Sequence, residues 1–349
     1  MKKKWTLFLL FYLLFLQACQ KENEPILSFQ NPSNFPEPSY DFENNPITRA
    51  GFELGKKLFY DGILSRDGSV SCASCHIPSA AFTQHGHDVS HGIDDKLTLR
   101  NSMPIMNLAW QKQFFWDGGV PHLDLFAIAP IEAENEMDET LGNVLEKLRK
   151  HPEYPSLFEK AFGSKEITTD RFLDALSQFQ LMAISANSKY DKYSRNEGVS
   201  LDEKELAGLQ LFKQKCSACH SGELFSDFKF RNNGLVPRVF KDPETGVDTT
   251  DTGRYRITLY PENKYQFKVP SLRNIELTKP YMHDGRFRTL EDVLEHYNSG
   301  VKDSPTLDPI LKQNGTIGIP LSNTEKEQLV AFLKTLTDTE FINNPLLNE

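Results

Sequence analysis

Cys72-Ala73-Ser74-Cys75-His76 and Cys216-Ser217-Ala218-Cys219-His220 decide how this chain is read. Each places two thiols three positions apart and a histidine directly after the second, the pattern of covalent c-type haem attachment. The chemistry needs that spacing. One thiol adds to each vinyl group of a single haem, and the next residue then lies beneath the iron as its proximal ligand. Cys72, Cys75, Cys216 and Cys219 are therefore expected to carry two haems, with His76 and His220 bound to the irons. Other uses of cysteine fit worse. A zinc site made of two such pairs brings them within ~15–20 residues of each other, whereas here most of a domain separates them. A redox dithiol has no need of the histidine.

Working outward, the two halves carry the same marks in the same order. Leu58-Phe59 precedes the first motif and Leu211-Phe212 the second; Phe82-Thr83 follows the first and Phe225-Ser226 the second. Leu99-Arg100-Asn101 matches Leu272-Arg273-Asn274, and Trp116-Asp117-Gly118 matches His283-Asp284-Gly285. Helix signals agree. Ser200 to Glu203 reads as a capping box opening a helix with Leu206, Leu209 and Phe212 on its apolar face. Ser322 to Glu325 opens another, with Leu329, Phe332, Leu333 and Leu336 as its stripe. Thr289 caps a short helix whose face holds Leu290, Val293, Leu294 and Tyr297. Strand signals are sparse. The expectation is a mostly α protein: two tandem c-type cytochrome domains related by duplication, loop-rich around two haems, spanning residues 47–195 and 196–349.

The first residues describe export. Lys2, Lys3 and Lys4 precede an apolar run from Trp5 to Leu16, followed by Gln17-Ala18-Cys19. This is too short for a membrane span and suits a signal peptide over 1–19 with a lipobox-like Cys19. Gln17 departs from the usual lipobox, so cleavage without lipid, or an uncleaved anchor, stays open. Residues 20–46 are polar and proline-rich and read as a tether. The expected location is the periplasm, with membrane contact only through the N-terminal lipid or anchor. A formal net charge of -9 speaks against a nucleic-acid partner.

Together with Phe115-Trp116-Asp117-Gly118, Lys268 to Asn274 and Pro280 to Gly285, the haem motifs resemble the bacterial dihaem cytochrome c peroxidase/MauG family. The likeness runs from about Ile47 to Thr337. It implies that the N-terminal haem reduces hydrogen peroxide to water, while the C-terminal haem relays electrons from a small cytochrome c or cupredoxin. Two alternatives accompany that reading. One is MauG-like oxidation of a partner protein through a high-valent dihaem state; the other is an electron carrier without catalysis.

The resemblance also implies site residues. Peroxidases of the family have a methionine fourteen residues after the His-Asp-Gly histidine; here that histidine is His283 and the position is Tyr297, which becomes the candidate second iron ligand. Tyrosine can ligate haem iron, although the same helix face suits a core tyrosine. Met282 is the rival thioether. The equivalent place in the first half is Pro130, which cannot bind iron, so that iron is left open or filled from elsewhere; in peroxidases of the family a loop histidine fills it at rest. His91 fits the family position, while His85 and His87 read as solvated loop residues. Asp124 and Gln113 are the candidate acid and glutamine beside the peroxidatic iron. Asn101 with the carbonyls of Thr278 and Pro280 could hold calcium between the haems, hard oxygens suiting that ion. For the family's inter-haem tryptophan the register gives Met106 or Pro104, with Trp110 displaced, and leaves the relay residue open.

Overall fold

A computed structural model of the protein describes residues 27–241, 245–313 and 315–349. The expected signal peptide, Cys19 and the first part of the tether lie outside these residues. Helices with one apolar stripe supply the regular structure. Thr48 accepts from the Gly51 amide and opens α1 (Arg49–Tyr60), which buries Phe52, Leu54, Leu58 and Phe59. The first half continues through α2 (Leu141–Lys150), α3 (Tyr154–Phe162) and α4 (Thr169–Leu181). After α5 (Lys189–Ser194) come α6 (Glu203–Lys215), α7 (Leu290–Glu295) and α8 (Asn323–Lys334). Strands among the described residues form only two-stranded antiparallel ladders, two or three residues long. No helix among them is long and apolar enough to cross a membrane.

Two hydrophobic clusters organise the chain. One gathers α1 and α4 around Phe59, Phe82 and Phe179; the other gathers α6 and α8 around Phe212, Phe225 and Phe332. Each depends on a glycine at the helix crossing. A Cβ at Gly55 would fall 1.8 Å from the Ala175 carbonyl oxygen, and one at Gly208 would fall 1.9 Å from that of Gln328. Only a residue without a side chain lets these helices approach so closely.

Three details differ from the sequence reading. The cap of α6 is Asp202, boxed with Glu205, rather than Ser200 with Glu203. The helix begins later, and two carboxylates satisfy its first amides while complementing its dipole. Leu206 consequently points outward, leaving Leu209 and Phe212 to the core. The described part of the expected tether is not free chain. Phe29, Phe35, Tyr40 and Phe42 pack on the first cluster, and the Trp110 ring meets both Phe29 and Phe35. Burying four aromatic rings outweighs the entropy of ordering the segment, which its proline content disguised. Finally, the chain's end returns to the first half. Phe341 and Leu347 join the first cluster, and Phe341 lies 5.5 Å from the Phe82 ring.

Candidate active site and haem pockets

Cys72–Cys75 make one helical turn, held at its start by the Ser71 amide on the Ser74 hydroxyl at 3.0 Å. None of the four motif cysteines is held in a disulfide, and burial pushes the Cys72 and Cys216 thiols up to about 12. Their histidines are prepared for metal. His76 Nδ1 donates to the Phe82 carbonyl at 2.8 Å and His220 Nδ1 to that of Phe225 at 3.1 Å. A carbonyl only accepts, so each bond fixes the proton on Nδ1 and leaves the Nε2 lone pair for iron. Both phenylalanines adopt positive φ, 60° and 50°, which turns their carbonyls back towards the imidazoles. Burial lowers His76 to about 4 and lowers His220 too, keeping both in the neutral, ligating form.

Beside the second motif lies a cavity of about 630 Å³, walled by Cys216, Cys219 and His220. This is the size of a cofactor pocket. Tyr297 lines it from a π turn (His296–Gly300) that follows α7, a local widening often found at functional positions. Burial drives its phenol up to about 12, opposed by a hydrogen bond from Asn233. Met282 lines the same space, its sulfur accepting from Asn233 Nδ2 at 3.5 Å. His283 stacks on Phe267 at 3.6 Å, and its carbonyl accepts from the Asn101 amide at 2.8 Å.

Two hairpins of the same shape meet at this seam. Phe114 N bonds Val120 O at 2.8 Å and Tyr281 N bonds Phe287 O at 2.7 Å. The first carries Trp116, a buried ring on the cavity wall whose indole donates to Asn101 O at 2.9 Å. Trp110 is committed to packing, its indole donating to Pro36 O. Met106 is buried with its sulfur on Asn274, and Pro104 borders the cavity. Lys268 is 2% exposed, its amide on Trp116 O at 2.7 Å and its ammonium on Gln111 Oε1 at 3.2 Å. Burial brings it down to about 7.

Around the first motif the expected residues fare unevenly. Asp124 accepts from the Tyr40 hydroxyl at 2.8 Å and lies 3.3 Å from His122. Glu136 is a carboxylate whose charge acts on the Cys72 and Cys75 thiols, raising both. Burial raises its carboxyl, and among the described residues that carboxyl has no hydrogen-bond or ion-pair partner. Gln113 meets Lys268 through its main-chain carbonyl. His91 is exposed, with Nδ1 2.5 Å from Asp95 Oδ1, rather than turned inward. The preceding residue, Ser90, shares a hydrogen bond of 2.5 Å with the Ser102 hydroxyl. His85 reaches Ser79, and the His87 ring stands 4.8 Å from that of His91. Asn101, Thr278 and Pro280 each line the cavity. Glu136 escaped the sequence because it is one of several acids between Glu132 and Glu139, with no period to single it out. In the sequence Trp116 is marked only by the repeated triplet, and its place on the cavity wall comes from the fold.

Residues 49–198 match the family model described as di-haem cytochrome c peroxidase. The chain is 36% identical over 311 residues to the methylamine utilization protein MauG of Methylorubrum extorquens, covering 88% of this chain and 83% of that one. It is 37% identical over 291 residues to cytochrome c551 peroxidase of Nitrosomonas europaea, covering 82% and 79%. The solved structure of a MauG-like protein associated with microbial copper homeostasis superposes with a TM-score of 0.80 at 32% identity, covering 92% of this chain and 99% of that one. A chain this similar to such proteins along most of its length, with both attachment motifs intact, belongs to the di-haem cytochrome c peroxidase family: it is a peroxidase-class oxidoreductase with two covalently bound haem c groups.

Proposed function

We propose that hydrogen peroxide is reduced to water at the haem on Cys72 and Cys75, with electrons entering through the haem on Cys216 and Cys219 from a small cytochrome c or cupredoxin. Bound haem supplies the iron that exchanges electrons and meets the peroxide oxygen. Glu136 carries the reading. Burial raises this carboxyl, its charge acts on the thiols of the first motif, and among the described residues it has no hydrogen-bond or ion-pair partner. Such a group takes the proton from one peroxide oxygen and returns it to the other as their bond breaks. In this reading the first iron would stay accessible to peroxide, since Pro130, fourteen residues after Trp116, has no group to bind it and His91 is engaged by Asp95. His76 and His220 would hold the irons through Nε2, and Tyr297 would be the further ligand of the second. Trp116 is the relay residue between the two.

The finer architecture belongs to the same proposal. The matched glycine crossings, matched hairpins and matched histidine-to-carbonyl bonds support two domains derived by duplication, dividing near residues 195 and 196, with the last segment crossing back. Calcium would rest on Asn101 with the carbonyls of Thr278 and Pro280. The Asn101 amide nitrogen donates to Asp88 O at 3.0 Å, which leaves its oxygen as the donor atom. The leader sequence supports export to the periplasm and lipid attachment at Cys19.

Tyr297 favours a second reading, oxidation of a partner protein at long range, because phenolate ligation favours oxidised iron over electron uptake. Steady-state assays with hydrogen peroxide and a reduced small cytochrome c separate the two. Rapid donor oxidation supports the peroxidase. Spectral change with peroxide alone, and no turnover of the donor, supports the second reading.

A further inference from the structure

We propose that Asn233 is a positioning residue that selects the protein ligand of the second haem, retaining the Met282 sulfur so that the place falls to Tyr297. The inference rests on the reading of Tyr297 as that ligand. Both rivals line one cavity with His220. Met282 is at a φ of 75° inside a tight hairpin, so its backbone is fixed and only its side chain can swing. Asn233 Nδ2 donates to its sulfur at 3.5 Å, and the same side chain shares the cavity wall with Tyr297. A thioether whose lone pair is engaged by an N–H is held back from a metal, which leaves the place to the phenol.

Asn233 is itself anchored to both elements it serves. Its main-chain carbonyl accepts from His296 Nε2 at 3.0 Å, and His296 directly precedes Tyr297. Next to it, the Gly234 amide donates to Asn232 Oδ1 at 2.9 Å, and Gly234 O accepts from Lys302 N at 2.9 Å. One strap thus joins the hairpin of Met282 to the π turn of Tyr297. The side-chain amide alone carries the choice, because the bond to His296 uses the main chain.

The test uses the holoprotein and reads spectra and potential rather than turnover. Wild type should show the phenolate-to-iron charge-transfer band. Asn233→Leu, similar in size and without a donor, should lose that band, gain the weak near-infrared sulfur-to-iron band and show a higher reduction potential at the second haem. Asn233→Leu combined with Met282→Leu should lose the sulfur band again. Asn233→Asp, isosteric and lacking the N–H donor, should give the same change and serves if the leucine variant does not fold. A wild-type phenolate band that persists unchanged in Asn233→Leu and Asn233→Asp overturns the inference and leaves the Tyr297 reading standing. Absence of that band from wild type overturns both.

Discussion

Replacing Glu136 by glutamine removes one proton-carrying group and almost no volume. A positioned acid–base group contributes roughly a hundred- to ten-thousand-fold to a rate, or about 3–5 kcal/mol of barrier. Peroxide turnover with a reduced small cytochrome c should fall by that factor, with little change in the KM for the donor. Stability should move the other way. The Glu136 carboxyl is raised by burial, so its folded form binds a proton more tightly than its unfolded form. Its contribution is present at low pH and is lost as pH rises through the folded value. An uncharged amide does not suffer that loss, so the Tm of Glu136→Gln at pH 7 should equal or exceed that of wild type. Asp124→Asn is the control. It weakens the 2.8 Å bond from Tyr40, costing about 1–3 kcal/mol of stability, while turnover stays within a few-fold. If Glu136→Gln keeps wild-type turnover and Asp124→Asn loses it, the acid has been assigned to the wrong residue.

Other expectations follow from single features. Lys268 is lowered to about 7 by burial, so between there and its unfolded value near 10 the unfolded chain binds the extra proton. Stability should climb with pH across that window by up to about 1.4 kcal/mol per unit, and denaturant melts of Lys268→Met should lack that slope. Gly55→Ala forces a Cβ against the Ala175 carbonyl; overpacking of this kind costs typically ~1–3 kcal/mol, visible as a lower Tm with both haems still attached. His91→Gly should leave the spectrum of the oxidised protein unchanged, because His91 is exposed and bound to Asp95; a newly open first iron in that variant would restore the loop ligand. Tyr297→Met should raise the second haem's potential, measured by redox titration, and an unaltered potential would deny the phenol its place on iron.

What could be read from the sequence was whatever chemistry demands at fixed spacing. The two attachment motifs and proximal histidines needed no tertiary information, and neither did the Ser322 capping box or the Leu329–Phe332–Leu333 stripe. The misses have a common physical origin. Glu136 acquires its character from enclosure beside Cys72 and Cys75, which are remote in sequence. Lys268 looks like any solvated lysine until Gln111 and Trp116 close over it. Residues 27–46 look like a tether because proline dominates their local pattern, yet their aromatics find Trp110. In each case a long-range contact outweighs the local signal.

The most direct test is the stoichiometry of steady-state turnover by the purified dihaem protein. Hydrogen peroxide takes up two electrons and two protons on becoming water, so each peroxide consumed should oxidise two molecules of reduced small cytochrome c. The Cys72→Ala/Cys75→Ala variant, retaining only the haem at Cys216 and Cys219, should still accept electrons from the donor but consume no peroxide. Peroxide turnover persisting in that variant, or wild type leaving the reduced donor untouched, would contradict the account.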